Sequence, residues 1–245
     1  MHRTTASAVT RRLSPGAILP SLALVIFDCD GVLIDSEPLG NRVVAEELSR
    51  IGWPMDGPTC QAMFLGLTYA DVQRVTEHRL ERTLGEDWVD RVVARVSAVM
   101  AREATAIPGA FDAVKAVAAM GLPIRVASNS SHEEMAAKFA CTGLDRLIPR
   151  QRIHSAHDLI ARGRRGKPDP DLFLEAAAAE GVSPLACLVV EDSLAGARAA
   201  AAAGMSCLGF TPDRHGPDLE SAGALPFSAM AALPDLIRAR LDRTA

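Results

Sequence analysis

Three short runs of branched apolar residues, Leu22 to Phe27, Ile124 to Ala127 and Cys187 to Val190, are separated by stretches with helical periodicity. A weaker run follows at Ser206 to Phe210. This alternation constrains the fold more than any other feature. Strands that alternate with helices pair in parallel, and the sheet they form is covered by helices on both faces. Strands buried on both faces read as continuous apolar runs, as these do. The expected class is therefore α/β, with a Rossmann-like parallel sheet. In such sheets ligands sit outside the carboxyl ends of the strands, so the residues just after each run are the functional candidates.

Three polar clusters stand at those positions. The first run leads into "DCDGVLIDSE", with Asp28, Asp30, Asp35 and Glu37 in a short span. The second leads into "SNSSHEE", Ser128 to Glu134. Ser131 and Glu134 have capping-box spacing, which predicts a helix start there, and Gly143 is a suitable stop. The third leads into Glu191, Asp192 and Ser193, then an alanine-rich helix ending near Gly204. A fourth feature, "RGKPDPDLF", places Lys167 before two prolines in a loop, with a helix expected to begin near Asp169 to Asp171.

Residues 39–105 differ. Leu39, Val43, Leu48 and Ile51 keep one apolar helical stripe, and Trp88, Val92, Val96 and Met100 keep another. The expected organisation is an α/β core built from residues 21–38 and 106–245, interrupted by a helical cap at 39–105. The junctions fall at Ser36 to Pro38 and Ala106 to Gly109, where a hinge would let the cap close. Residues 1–20 hold Arg3, Arg11 and Arg12 and no acid. Such a start resembles a transit peptide in composition, but the reading adopted is a flexible extension.

The net charge of −4 and the 4% aromatic content argue against a nucleic-acid surface. No apolar run is long enough to span a membrane. Cys29, Cys60, Cys141, Cys187 and Cys207 lack zinc-ligand or redox spacing. Buried, reduced thiols in a cytoplasmic protein are expected, acting as a monomer or weak homodimer.

Residues i and i+2 of an extended strand end point the same way. Asp28 and Asp30 can thus face one site while Cys29 turns away. With Glu191 and Asp192 from another strand end, the acids would repel one another unless a cation is present. Oxygen donors and high negative charge suit a hard divalent ion, with Mg²⁺ the natural candidate. Lys167 adds a fixed positive charge, and Ser128 and Asn129 offer donors to an anion. Together these parts describe a phosphoryl-transfer site.

The four segments "DCDGVLIDSE", "VASNSS", "GKPDPDLF" and "VVEDSLAGARAA" resemble the four motifs of the haloacid dehalogenase-like hydrolase superfamily. The similarity is greatest to the branch with β-phosphoglucomutase and phosphoglycolate phosphatase. The resemblance implies that Asp28 is the nucleophile and forms an aspartyl-phosphate. Asp30 would protonate the leaving alcohol and then activate water. Mg²⁺ would be held by Asp28, the Asp30 carbonyl, Glu191 and Asp192. Ser128, Asn129 and Lys167 would hold the phosphoryl oxygens, with Cys29 and Asp30 beside them.

Within that family Asp30 disfavours a haloacid dehalogenase, which lacks the second aspartate. The helical segment has no lysine, which disfavours the Schiff-base chemistry of phosphonoacetaldehyde hydrolase. A β-phosphoglucomutase would carry a histidine where Gly40 stands, and a lysine and an arginine where Leu65 and Tyr69 stand. The expectation is therefore an Mg²⁺-dependent phosphatase acting on a small phosphorylated metabolite, the ester of a sugar, polyol or sugar acid. A sugar phosphomutase and a non-catalytic phospholigand-binding protein are the alternatives. Glu37, Asn41, Arg42, Leu65, Gly66, Thr68 and Tyr69 are the candidate substrate contacts from the cap; Arg42 is read either as the partner for a substrate carboxylate or as a solvated arginine on the helix surface. His132 reads as a surface histidine at a helix start; His154 and His157 have no partner spacing for a metal.

Overall fold

The apolar runs all form strands, and the segments between them form helices. The structure, a computed structural model, describes residues 21–65, 67–212 and 218–242. The expected extension at 1–20 lies outside the described residues. The chain runs β1 (Leu24–Phe27), β2 (Ile34–Asp35), α1 (Glu37–Arg50), α2 (Gly57–Phe64), α3 (Tyr69–Leu80), α4 (Trp88–Glu103), β3 (Thr105–Ala106), α5 (Ala110–Ala119) and β4 (Ile124–Ser128). It continues through α6 (His132–Thr142), β5 (Ile153–Ser155), α7 (Ala156–Ala161), α8 (Asp171–Glu180), β6 (Cys187–Glu191), α9 (Leu194–Ala202), β7 (Ser206–Phe210), β8 (Leu225–Phe227) and α10 (Leu233–Asp242).

Six strands form one parallel sheet in the order β5-β4-β1-β6-β7-β8. β1 is central. Phe27 pairs with Val126 of β4 and with Val190 of β6, so the three strands end side by side. The strand period then divides β1 between two cores. Val25, Phe27 and Cys29 enter one apolar cluster with Val126 and Phe139. Leu24 and Ile26 enter the other, with Phe173 and Ala197. Every residue of β1, β4 and β6 is buried, which is why these runs lack polar alternation.

Between β2 and β3, helices α1 to α4 build a separate core around Leu48, Cys60, Phe64, Trp88 and Val92. Asp56 and Thr68 start α2 and α3 by accepting the N–H groups of Thr59 and Asp71. β2 and β3 pair antiparallel, Ile34 with Ala106 and Asp35 with Thr105. The chain therefore leaves the sheet and returns to it through adjacent strands. α4 lies against α6, where the Ser97 hydroxyl donates to Glu134.

α6 starts on the expected capping box of Ser131 and Glu134 and stops at Gly143, whose φ is +77°. Among the described residues no helix is long and apolar enough to cross a membrane. All five thiols are free, and four are buried as expected; Cys141 on α6 is exposed instead, with its Sγ donating to the Ala104 carbonyl at 3.4 Å.

Candidate active site

Asp28 follows β1 directly, and its backbone N–H donates to the Val190 carbonyl at 2.9 Å. That bond carries the sheet pairing one residue past the strand and fixes the carboxylate between β4 and β6. Lys167 reaches it from the loop before α8. The Lys167 Nζ donates to Asp28 Oδ1 and to Glu191 Oε1, each at 2.6 Å. The same ammonium lies 5.1 Å from the Phe173 ring centroid, so its apolar side also has a favourable neighbour.

Glu191, the last residue of β6, is fully buried. Its second oxygen accepts from the backbone N–H of Asp192 and of Ser193 and from the Ser193 hydroxyl. This carboxylate braces the turn into α9 and holds Lys167. Gly196 makes room for it, since a Cβ there would lie 1.8 Å from Glu191 Oε1. Asp192 comes next in the turn and points at Gly31. A Cβ on Gly31 would lie 1.9 Å from Asp192 Oδ2, and its φ of +79° favours glycine for a second reason.

Oxygens of Asp28, Glu191 and Asp192 lie within 4.8 Å of one another. Burial pushes the Asp28 carboxyl up to about 7; Lys167 opposes the rise and Glu191 adds to it. Burial pushes Asp192 up to about 8, reinforced by Asp28 and Glu191. Burial works against the Lys167 charge, but Asp28 and Glu191 outweigh it and hold the ammonium above its ordinary range.

Asp30 lies one turn further on. Lys138 of α6 donates to both of its oxygens, at 2.8 and 2.9 Å, and the Ser130 hydroxyl donates at 2.8 Å. Lys138 is buried, yet Asp30 keeps its ammonium above the ordinary range against the cost of burial. Sequence reasoning missed Lys138 and Ser130. The available signal was spacing: a lysine two turns into the helix that follows Ser128 can return to the strand end.

Four carboxylates thus share two buried ammonium groups. When all are ionised, two negative charges remain, the number one divalent cation neutralises. The oxygen donors, the nearly buried Asp192 and the space kept open by Gly31 fit such an ion.

Ser128, Asn129 and Ser130 form the loop opposite. Ser128 Oγ accepts the Ser130 N–H at 3.1 Å, and Ser155 Oγ donates to the Ser130 carbonyl at 2.8 Å. Asn129 Oδ1 accepts the Lys167 N–H at 3.1 Å, which leaves the Asn129 amide N–H groups as donors. Asp28, Asp30, Ser128, Asn129, Lys167 and Asp192 all line one space of about 510 Å³.

The remaining candidates divide. Glu37, Asn41, Leu65, Thr68 and Tyr69 line an adjoining cavity of about 820 Å³ between the helices and the sheet. Thr68 is also committed to its capping box with Asp71. Arg42 turns away and pairs with Glu103 at 2.6 Å, because α1 presents it to the end of α4 rather than inward. Cys29 has its thiol in the core, so only its backbone can reach the site. Gly66 lies outside the described residues. His132 is not a free surface histidine: it is largely covered, and its Nε2 faces Asp158 at 3.0 Å.

Known proteins resemble this chain over most of its length. The chain is 30% identical to 6-phosphogluconate phosphatase of Escherichia coli over 217 residues, 88% of this chain and 95% of that protein. It is 30% identical to hexitol phosphatase B of the same organism over 185 residues, 74% of this chain and 79% of that protein. A HAD family hydrolase from Deinococcus radiodurans, solved with bound phosphate and sodium, superposes with a TM-score of 0.75 at 32% identity, covering 90% of this chain and 97% of that one. Residues 22–204 match the haloacid dehalogenase-like hydrolase family, and the chain belongs to that family.

Proposed function

We propose that the protein is an Mg²⁺-dependent phosphatase that hydrolyses small phosphate monoesters of sugars, polyols or sugar acids through an aspartyl-phosphate. One observation carries the reading. Asp28 is a buried carboxylate with one oxygen on Lys167 and with Asp192 and Glu191 close by, while a second carboxylate, Asp30, is held separately by Lys138 and Ser130. Two acids in different environments can take two roles. The phosphatase names of the similar proteins support the same reading.

Asp28 attacks phosphorus, and the bond from phosphorus to the leaving oxygen breaks as Asp30 gives that oxygen a proton. Asp30 then takes a proton from water, which attacks phosphorus and frees Asp28 and inorganic phosphate. Ser130 and Lys138 keep the Asp30 carboxylate in one rotamer through both steps. Ser128, the Asn129 amide and Lys167 hold the phosphoryl oxygens. Asp28, Asp192 and the Asp30 carbonyl would hold Mg²⁺, with Glu191 behind them. The ion would supply charge neutralisation, allowing a phosphate dianion to approach four acids. Helices α1 to α4 act as a cap that covers the leaving group and excludes water.

Hydrolysis of p-nitrophenyl phosphate tests the proposal. Turnover should require Mg²⁺, stop with EDTA and vanish in Asp28→Asn. Metal-replete protein inactive on a broad panel of phosphate esters would refute it.

A further inference from the structure

On the phosphatase reading, the leaving group occupies the cavity of about 820 Å³ between the helices and the sheet. Its charged lining is lopsided. Asp30, Glu37 and Glu134 face it, and Lys138 is the one cation among its described lining residues. That ammonium is already taken by both oxygens of Asp30. Glu37 and Glu134 also line the space around Asp28 and Asp192, so they flank the route from phosphorus to the far end of a substrate. Arg42, a candidate partner for a substrate carboxylate, is bound to Glu103 and does not line the cavity.

The rest of the lining is neutral. Asn41, Gln61 and Tyr69 supply amides and a hydroxyl, and Gln61 Nε2 donates to Glu37 Oε2 at 3.2 Å. Phe64, Leu65, Leu67, Val93 and Met100 supply an apolar wall. A carboxylate here would lose water and meet acids without a free cation. A hydroxyl can donate to Glu37 and accept from an amide N–H, and the C–H face of a carbon chain packs against the wall.

We infer that this cavity selects an uncharged, hydroxyl-bearing leaving group, so that the substrate is the phosphate monoester of a neutral polyol or sugar. Esters with a carboxylate or second phosphate at the far end are discriminated against. This deepens the phosphatase reading and rests on it.

Sorbitol 6-phosphate and 6-phosphogluconate form a matched pair, differing only in a terminal CH₂OH against a carboxylate. The Mg²⁺-loaded protein should show kcat/KM at least about tenfold higher for the polyol ester. Glu37→Gln should narrow that ratio by improving the acid, and Gln61→Lys should narrow it further. Equal or higher kcat/KM for the carboxylate ester, with p-nitrophenyl phosphate turnover intact, would overturn the inference and leave the phosphatase reading standing. Absence of turnover on p-nitrophenyl phosphate and on both esters would overturn the two together.

Discussion

Mg²⁺ binding should expel protons, and the site geometry sets how many. Without a cation, burial and neighbouring acids hold Asp28 near 7 and Asp192 near 8. At pH 7 Asp28 is then about half protonated and Asp192 about nine-tenths, so a cation that ionises both releases about 1.4 protons. At pH 9 the release falls toward zero. Titration calorimetry at pH 7 in PIPES and in Tris, whose ionisation heats differ, reads the number from the difference in heat. The apparent affinity should also rise with pH up to about 9 and level off above. The same linkage acts on stability. Below about pH 4 the folded and unfolded chains both hold the Asp192 proton. As pH rises toward 8, the unfolded chain loses it while the folded one keeps it. The metal-free protein should therefore lose stability across that window, by up to about 1.4 kcal/mol per pH unit from this group, and Mg²⁺ should restore it. A buffer-independent binding heat with pH-independent affinity would refute the reasoning: Lys167 and Lys138 would then suffice to keep the acids ionised.

Two substitutions probe single contacts. Lys138→Met removes the cation that positions Asp30. Turnover of an alkyl phosphate, whose leaving oxygen needs a proton, should fall about 10²-fold, while p-nitrophenyl phosphate falls much less; equal losses would assign Lys138 a purely structural role. Gly31→Ala drives a Cβ into Asp192 at a φ that alanine resists; it should cost about 1–3 kcal/mol by thermal melting and weaken Mg²⁺ binding at least tenfold.

The central sheet was legible in the sequence because β1, β4 and β6 are buried on both faces and so carry uninterrupted apolar runs. The edge strands β5 and β8 were not. Each is three residues long, and His154 in one and Pro226 in the other break the run. An edge strand pairs on one side only, so its sequence is less constrained. The site divides the same way. Asp28, Glu191 and Lys167 stand at strand ends and beside prolines, where local pattern marks them. Lys138 sits mid-helix, and only the packing of α6 against the end of β1 turns it toward Asp30. Arg42 failed for the converse reason. Its helix was legible, but its partner Glu103 lies 61 residues away on α4, and no local pattern reports a contact of that range.

The central claim is that Asp28 takes the phosphoryl group. Acid quench within the first turnover of a phosphate ester, followed by peptide mass spectrometry, tests it most directly. A hydroxylamine-labile phosphoryl adduct on the peptide containing Asp28, absent from Asp28→Asn, is the predicted result. Phosphate release without any such adduct, or an adduct on another residue, would contradict it.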